Sequence, residues 1–501
     1  MANSKKVSKG LNSKTKSKVI LGVCIALLIL IVGGYFVYYT GLPARIIPAV
    51  KIVETVDGKE KTIGKIYTPE LTYYKNQILS MYAMYGMDTG TYLDAVNEAT
   101  GKTNNQLMLD SAAEQIVSIR YVCDMAKKDP GFVSGANRYA EYELYMAELR
   151  ADNNNFPTVG QFLAAQYGSG MTPSIYVNII KDQTMAQEYQ EYLKQTAFVP
   201  SDEEIQAIYD ENPDMYMHLD YNWFYFSKEA YADHVAAAEA VKAAAGDSVT
   251  FNSAVLEQMG DDIASSTGFS VQDNSTYVEG ITKAEMTNNA FPEEMNQYLL
   301  NPDNQGKAEV FTTDNGSYVV LPVRVYQADD LVYCYRKIVL NNVDVGSNDT
   351  DFEQDELLKG IDKTEKKAND LIATITDEES FIKAVKENTE SYDDIATSGY
   401  VNGVLTAQFT SDTVSENDKK LGEWLLDPNR KHGDMIAIKS YSNRMVYIYF
   451  YDEAVESWKN EIRNQIISEK ASQWSITDAS TTSWVPQINY DVADKLAYYA
   501  S

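Results

Sequence analysis

Two stretches of this sequence repeat each other in the same order, and this repetition constrains the fold more than any other feature. The phrase Phe251-Asn-Ser-Ala-Val is echoed by Phe381-Ile-Lys-Ala-Val, 130 residues later (381 − 251). Leu299-Leu-Asn-Pro is echoed by Leu425-Leu-Asp-Pro, 126 residues later (425 − 299), and a polar turn and two strand-like runs follow each copy. Two landmarks at nearly one spacing indicate two tandem copies of one α+β module.

Length and charge limit the classes of protein that fit. A chain of 501 residues predicts about three domains. The formal net charge is −29, although residues 1–18 contain six lysines and no acidic residue. Such an acidic surface repels nucleic acid, so we expect no nucleic-acid partner.

The N-terminal region reads as a membrane anchor. Residues 19–39 carry no charge, and a helix of that length spans the hydrocarbon core of a bilayer. Because the basic residues 1–18 precede it, the positive-inside rule predicts a cytoplasmic N-terminus and an extracytoplasmic remainder. A cleaved signal peptide, cut after residues 41–44, is the alternative. Residues 40–65 are predicted to be a linker or a short hairpin.

Residues 66–217 have a helical pattern, with apolar side chains three and four positions apart. Thr172-Pro173 predicts the start of a long helix, and Ser201 with Glu204 forms a capping-box motif. Residues 453–475 are again amphipathic with helical spacing. Residues 476–501 are polar and aromatic, and we expect a partly ordered tail there.

Between the helical regions lie the two modules, predicted at residues 218–329 (the first module) and 330–452 (the second module). In the first module a strand, helices and a closing hairpin around residues 313–316 follow one another. The second module keeps this order and adds an acidic insertion at residues 341–363. Its carboxylates do not follow the order of a calcium-binding loop, so a solvated loop is predicted.

Three phrases carry a resemblance to a known family. Residues 156–189 (FPTVGQFLAAQYGSGMTPSIYVNIIKDQTMAQEY), 200–216 (PSDEEIQAIYDENPDMY) and 310–323 (VFTTDNGSYVVLPV) stand in this order. Together they resemble the SurA/PrsA-type extracytoplasmic chaperones, over about residues 66–475. The resemblance implies a helical chaperone domain (the helical domain, 66–217 completed by helix 453–475), two tandem parvulin-like α+β modules and one preceding transmembrane helix.

The same resemblance indicates where the site residues should lie. Parvulin-type prolyl isomerases carry one histidine on the first strand of the domain and one on the last. At these two positions the first module has Asn222 and Tyr318; a rival register puts His218 at the first-strand position. Met286 and Phe291 fall near the apolar residues of the family's proline pocket, and are expected to bind substrate or to be plain core.

The second module departs further, with Lys337 at the first-strand position and Met445 at the last-strand position. His432 stands in a polar turn and is expected to face water. With three histidines, and with Cys123 and Cys334 as isolated thiols, no metal site or cofactor is predicted. The two cysteines are expected to be buried and free, and a disulfide between them is the alternative.

These observations predict a membrane-anchored extracytoplasmic chaperone or foldase that binds unfolded exported polypeptides. Because both modules lack the family's histidines, we expect weak isomerase activity or none. A prolyl cis-trans isomerase with an altered site and a scaffold protein of the cell envelope are the alternatives. The sequence contains no HExxH motif, GxSxG elbow or phosphate-binding loop, which argues against a hydrolase.

Overall fold

The computed structural model describes residues 41–497, apart from 85–88, 169, 212, 261–263, 265–266, 288, 328–329, 347–348, 350, 411–413 and 481–482. It is an α+β protein of several domains with three antiparallel sheets, which confirms the predicted fold class at that level. The predicted anchor at 19–39 lies outside the described residues. Among the helices that are described, none is long and apolar enough to cross a membrane.

The helical domain has helices that pack against a three-stranded sheet. Its elements up to residue 216 are α1 (Leu42–Ile46), β1 (Pro48–Val56), β2 (Lys59–Tyr67), α2 (Thr68–Met84), α3 (Thr89–Asp94), α4 (Asn104–Lys128), α5 (Ala136–Asn153), α6 (Val159–Tyr167), α7 (Pro173–Gln195), α8 (Asp202–Glu211) and a 3-10 turn (Pro213–Tyr216). Thr172 caps α7 from its side chain, with Pro173 in the first turn. The core contains Ile52, Leu109 and Ile116, all buried.

The first module is a four-stranded sheet with helices on both faces. Its elements are β3 (Met217–Ser227), α9 (His234–Ala244), α10 (Ser248–Met259), β4 (Tyr277–Thr282), α11 (Lys283–Thr287), α12 (Glu293–Leu299), β5 (Glu309–Thr313) and β6 (Gly316–Gln327). The strand order is β4-β3-β6-β5. Helices α9 and α10 pack with Phe226 and Leu321 on one face, here called the α10 face. Helix α12 packs with Tyr221 and Val320 on the other, the α12 face.

The second module repeats this arrangement. Its elements are β7 (Leu331–Asn341), α13 (Gln354–Ile372), α14 (Glu378–Asn388), α15 (Asp393–Thr397), β8 (Tyr400–Leu405), α16 (Ala407–Thr410), α17 (Glu416–Leu425), β9 (Met435–Ser440) and β10 (Met445–Glu456). The strand order β8-β7-β10-β9 matches that of the first module. Its α14 face and its α17 face hold separate apolar clusters.

The repeated sequence landmarks occupy equivalent places in the two modules. Phe251 in α10 and Phe381 in α14 are both fully buried. Each helix begins with a capping box, from Asp247 in the first module and Asp377 in the second. A capped helix start with a buried phenylalanine four residues further on therefore recurs at an offset of 130 residues (377 − 247).

The chain returns to the helical domain after the second module. Strand β10 continues through Glu456, and helix α18 (Ser457–Ser480) follows. Trp458, Ile462 and Ile466 of α18 pack on Ile205 of α8. The helix therefore begins four residues later than residue 453, where the sequence predicted its start.

The segments before and after the modules are more ordered than a linker and a tail, and the hairpin predicted as one alternative for residues 40–65 is present. β1 and β2 form a hairpin, and β11 (Trp484–Ile488) pairs antiparallel with β1 as the third strand of that sheet. Helix α19 (Tyr490–Ala497) follows, with Ala493 buried in the core of the helical domain. Helix α13 also begins inside the insertion predicted as a loop, because Leu357 and Ile361 are buried against the second sheet.

Candidate functional site

Four aromatic side chains gather on the α12 face of the first module. They are Trp223, Tyr225, Phe291 and Tyr318, here called the aromatic surface. The Trp223 ring lies 4.9 Å from Phe291, and the Tyr318 ring lies 4.5 Å from Tyr225 and 5.7 Å from Phe291, measured between centroids. All four side chains are half-buried, so each presents part of its ring to solvent.

Strand pairing explains why three of these rings meet. Trp223 and Tyr225 are two residues apart on β3, so both point to the same face of the sheet. Tyr318 on β6 is the direct cross-strand partner of Tyr225. Cross-strand aromatic pairs of this kind stabilise the sheet that carries them.

Phe291 is positioned by a loop held by two asparagines. The Phe291 N–H donates to the Asn289 side-chain oxygen at 3.0 Å. The Asn296 amide donates to that same oxygen at 3.1 Å and to the Met286 carbonyl at 3.0 Å. Met286 itself is fully buried beneath the surface, so it supports Phe291 from the core and has no contact with solvent.

The two positions predicted for the family histidines do not meet. Asn222 pairs with Leu321 of the α10 face, whereas Tyr318 belongs to the α12 face. The Asn222 side chain is fully buried; its oxygen accepts from the Ser248 hydroxyl at 2.6 Å, and its amide donates to Thr276 Oγ1 at 2.9 Å. The sheet itself therefore separates Asn222 from Tyr318.

The rival first-strand candidate, His218, also lies away from Tyr318. It is four residues before Asn222 on the same strand, and so points to the same side of the sheet. Its Nε2 lies 3.1 Å from Glu461 Oε1 of helix α18. His218 thus contributes to the contact between the first module and helix α18.

The residues that sequence reasoning missed are Trp223 and Tyr225. The resemblance assigns the first-strand position to Asn222, which is one residue before Trp223. The two-residue period of a strand would have corrected this, because only the odd-numbered residues of β3 share the face of Tyr318.

A β-bulge marks equivalent positions in the two sheets. β6 has its bulge beside the Tyr221–Pro322 pair, and β10 has one beside the Tyr335–Tyr451 pair. Counted from these pairs, Asn222 corresponds to Arg336, Trp223 to Lys337, Tyr225 to Val339 and Tyr318 to Tyr447. Lys337, predicted at the first-strand position, therefore corresponds to Trp223 and not to Asn222. Met445, predicted at the last-strand position, lies two residues before the counterpart of Tyr318.

The second module has lost most of the aromatic surface. Lys337 replaces the indole and approaches Asp394 to 3.4 Å. At the offset of the Leu299–Leu425 landmark, Asn417 stands where Phe291 stands, and it donates to the Tyr449 hydroxyl at 3.3 Å. Of the four counterparts, only Tyr447 has the same side chain as the residue it corresponds to, Tyr318. The exposed aromatic set is therefore a property of the first module.

The chemistry that the aromatic surface offers is apolar contact with a few polar groups. Burial, with a smaller contribution from Tyr225, raises the pKa of the Tyr318 hydroxyl above its usual value. The phenol is therefore neutral at physiological pH and can donate or accept one hydrogen bond. Such a surface suits a partly apolar peptide, and no imidazole belongs to it in the described part of the module.

Among the residues that the structure describes, one group of three side chains could hold a metal ion, although none was predicted. It comprises Glu378, His432 and Asp452 of the second module. His432 is half exposed, as expected for a turn residue, yet its Nδ1 lies 3.1 Å from Asp452 Oδ1. Cys123 and Cys334 are free and buried, in agreement with the sequence.

Comparison with known proteins assigns no family to these features. No protein-family model matches the chain, and no curated protein matches it significantly.

Proposed function

We propose that the protein is a membrane-anchored extracytoplasmic chaperone that holds unfolded exported polypeptides. In this proposal the two modules are parvulin-like domains with weak isomerase activity or none, set into a SurA-like helical domain. The aromatic surface of the first module is the observation that carries the proposal. Half-buried rings offer a large contact area at a low cost in side-chain entropy, and they accept many sequences.

The topology of the modules supports the parvulin-like interpretation. Each is a four-stranded antiparallel sheet with two helices on one face and a shorter helix on the other. The aromatic surface lies on the face of the shorter helix, between Tyr318 on the last strand and Phe291 before α12. A peptide could lie across this face and contact three elements at once.

The helical domain adds exposed apolar side chains of its own. Met81 and Met84 near the end of α2 are 54% and 87% exposed, and Tyr145 of α5 is 54% exposed. Methionine adapts its shape to different partners, which suits the binding of varied unfolded chains. The net charge of −29 keeps a protein with such surfaces soluble.

Weak or absent catalysis follows from the composition of the aromatic surface. Rotation about a prolyl bond must cross a barrier of about 18–20 kcal/mol. Among the described residues of this surface, the polar atoms are two phenol hydroxyls and one indole N–H. These groups can orient a peptide, but the paired histidines of active parvulins have no counterpart beside Tyr318.

Binding of an unfolded probe tests the chaperone proposal. The purified full chain is titrated against a fluorescent, reduced and carboxymethylated protein that cannot refold. We expect saturable binding, and we expect Trp223→Ala and Phe291→Ala each to raise the Kd about tenfold. Tyr441→Ala is the matched control, because Tyr441 is an exposed tyrosine (41%) of the second module, away from the aromatic surface. Equal affinity of all four proteins would contradict the proposal.

A proline-containing tetrapeptide assay tests the catalytic alternative. We expect isomerisation close to the uncatalysed rate. Turnover far above that rate, abolished by Tyr318→Phe, would instead establish an isomerase with an altered site. Crosslinking from the aromatic surface in cells addresses the scaffold alternative, since one dominant partner would favour it over many clients.

A further inference from the structure

Three metal-ligating side chains converge in the second module from three different elements. Glu378 comes from the first turn of α14, His432 from the turn before β9, and Asp452 from β10. The ligand atoms that they offer all lie within 4.8 Å of one another. His432 Nε2 is 3.8 Å from Glu378 Oε2.

The β-bulge presents Asp452. In the pairing of β10 with β7, the register shifts between Tyr451 and Glu453, so Asp452 has no partner on β7. An extra residue at a bulge is free to point a side chain where the regular ladder would not. The equivalent bulge residue of the first module is Val323, between Pro322 and Arg324. The carboxylate at this point therefore belongs to the second module alone.

An arginine holds one carboxylate oxygen of Glu378, and the other oxygen is available as a ligand. Arg336, almost wholly buried, donates from Nε and Nη2 to Glu378 Oε1 at 2.8 and 2.7 Å. Glu378 Oε2 faces His432 instead. In the first module the corresponding pair is Asn222 and Ser248, which are both uncharged.

The ring of His432 is oriented by the strand behind it. The Gly433 N–H donates to the Tyr451 carbonyl at 3.0 Å and fixes the turn against β10. His432 Nδ1 lies 3.2 Å from the Asp452 carbonyl oxygen and 3.1 Å from Asp452 Oδ1, and an Nδ1–H that donates to the carbonyl leaves the carboxylate for the ion. Nε2 then carries a lone pair that points toward Glu378. Metal-binding histidines are commonly oriented in this way, by a hydrogen bond that the other ring nitrogen donates.

We propose that Glu378, His432 and Asp452 form a site for a divalent transition-metal ion, with zinc as the best match. One imidazole and two carboxylates are a donor set that zinc accepts, with water completing the coordination. Two ligands of one tetrahedral zinc ion stand about 3.4 Å apart, close to the 3.8 Å between His432 Nε2 and Glu378 Oε2. The ion would clip the turn at His432 to the start of α14.

The local charge favours a cation there. Two carboxylates face one guanidinium, that of Arg336, and the neighbouring Glu453 is separately paired with Arg463. With a neutral imidazole the group carries one net negative charge. The alternative is a metal-free arrangement, in which a protonated His432 bridges both carboxylates. A measurement of metal binding distinguishes this arrangement from a metal site.

The test is zinc binding to the untagged, metal-stripped full chain, measured by competition with a chromophoric zinc indicator at pH 7.5 in 150 mM salt. We expect one equivalent of zinc, bound at least about tenfold more weakly by His432→Ala and by Asp452→Asn. Glu378→Gln should weaken binding likewise. Glu379→Gln is the matched control, since Glu379 is the next residue on α14 and is exposed.

A second readout keeps the test independent of folding. Cobalt bound by nitrogen and oxygen ligands in a distorted tetrahedron absorbs visible light, and we expect this band in the unmodified chain and in Glu379→Gln but not in His432→Ala. Zinc should also raise the Tm of the unmodified chain more than that of His432→Ala. Equal zinc affinity of the unmodified chain and His432→Ala, or no saturable binding, would overturn the proposal.

Discussion

Lys386 of the second module and Glu188 of the helical domain form an ion pair of 3.0 Å whose side chains are only 3% and 0% exposed. Glu188 also accepts the Gly135 N–H at 2.9 Å, and Lys386 donates to the Ile395 carbonyl. Burial, only partly offset by Glu188, lowers the pKa of Lys386 below its usual value. The contact therefore joins two domains through a buried ion pair, and removing either partner would leave the other charge buried and unpaired.

Removing either charge should loosen this interface strongly. We expect Glu188→Gln and Lys386→Met each to cost about 3–5 kcal/mol, because each leaves one buried charge unpaired. The double variant should cost less than the sum of the two. Differential scanning calorimetry of the full chain measures this. Lys383→Met is the control, because Lys383 lies on the same helix with its side chain 62% exposed; an equal effect there would argue against a special role for the pair.

Asn222 should matter for stability and not for peptide binding. Asn222→Ala leaves the Ser248 hydroxyl and Thr276 without their partner, at a cost of about 1–3 kcal/mol. Binding of the unfolded probe should be unchanged, because the sheet separates Asn222 from the aromatic surface. Tyr318→Ala, in contrast, should weaken binding of the probe, because Tyr318 belongs to the aromatic surface. A loss of probe affinity in folded Asn222→Ala would show that the two faces are coupled.

Gly399 cannot accept a side chain. Its φ is +68°, and an added Cβ would lie 2.2 Å from the Lys337 carbonyl oxygen. We expect Gly399→Ala to destabilise the second module by at least about 3 kcal/mol, which combines backbone strain with a forced shift of β7. Gly306→Ala isolates the strain alone, since Gly306 has a φ of +74° and nothing within 4 Å. Its cost should be about 1 kcal/mol. Similar losses of Tm in both variants would contradict this account.

The two buried thiols should resist alkylation over a wide pH range. Burial raises the pKa of Cys123 to about 12 and also raises that of Cys334. Because the thiolate is the reactive form, each thiol in the native protein should react with iodoacetamide much more slowly than an ordinary cysteine at every pH between about 7 and 9. Urea should make both react at the rate of an ordinary cysteine. Peptide mapping by mass spectrometry reads each site separately, and fast labelling of native protein at pH 8 would show that these segments open.

The sequence predicted local elements well where capping and periodicity agree. The start of α7 at Pro173 and the capping box at Ser201 both follow from short-range patterns. Strand β11 could not be predicted in this way, because its pairing with β1 is a contact between residues more than 400 positions apart. The five residues Trp484–Ile488 form a strand through their pairing with the free edge of β1, and that edge is not visible in the local sequence.

The site was predicted at the level of the strands but not of the face. Tyr318 was identified correctly as a residue of the last strand, and its neighbour Phe291 was also named. The first-strand position was assigned to Asn222, which is one residue before Trp223. Because neighbouring residues of a strand point to opposite faces, this error of one residue moved the predicted position to the other face of the sheet. The metal-ligand group was missed for a different reason, since Asp452 reaches it only through a bulge that alternation does not reveal.

The pairing of β11 with β1 fixes an order of events during synthesis. β1 leaves the ribosome long before residues 484–488, and both modules are complete in the growing chain before β11 exists. Domains generally fold as their sequences emerge, so the modules can fold first while the N-terminal hairpin waits for its third strand. The helical domain is thus the first to be synthesised and the last to be completed. A chain that stops before residue 484 would contain two folded modules and a sheet in which one edge of β1 is unpaired.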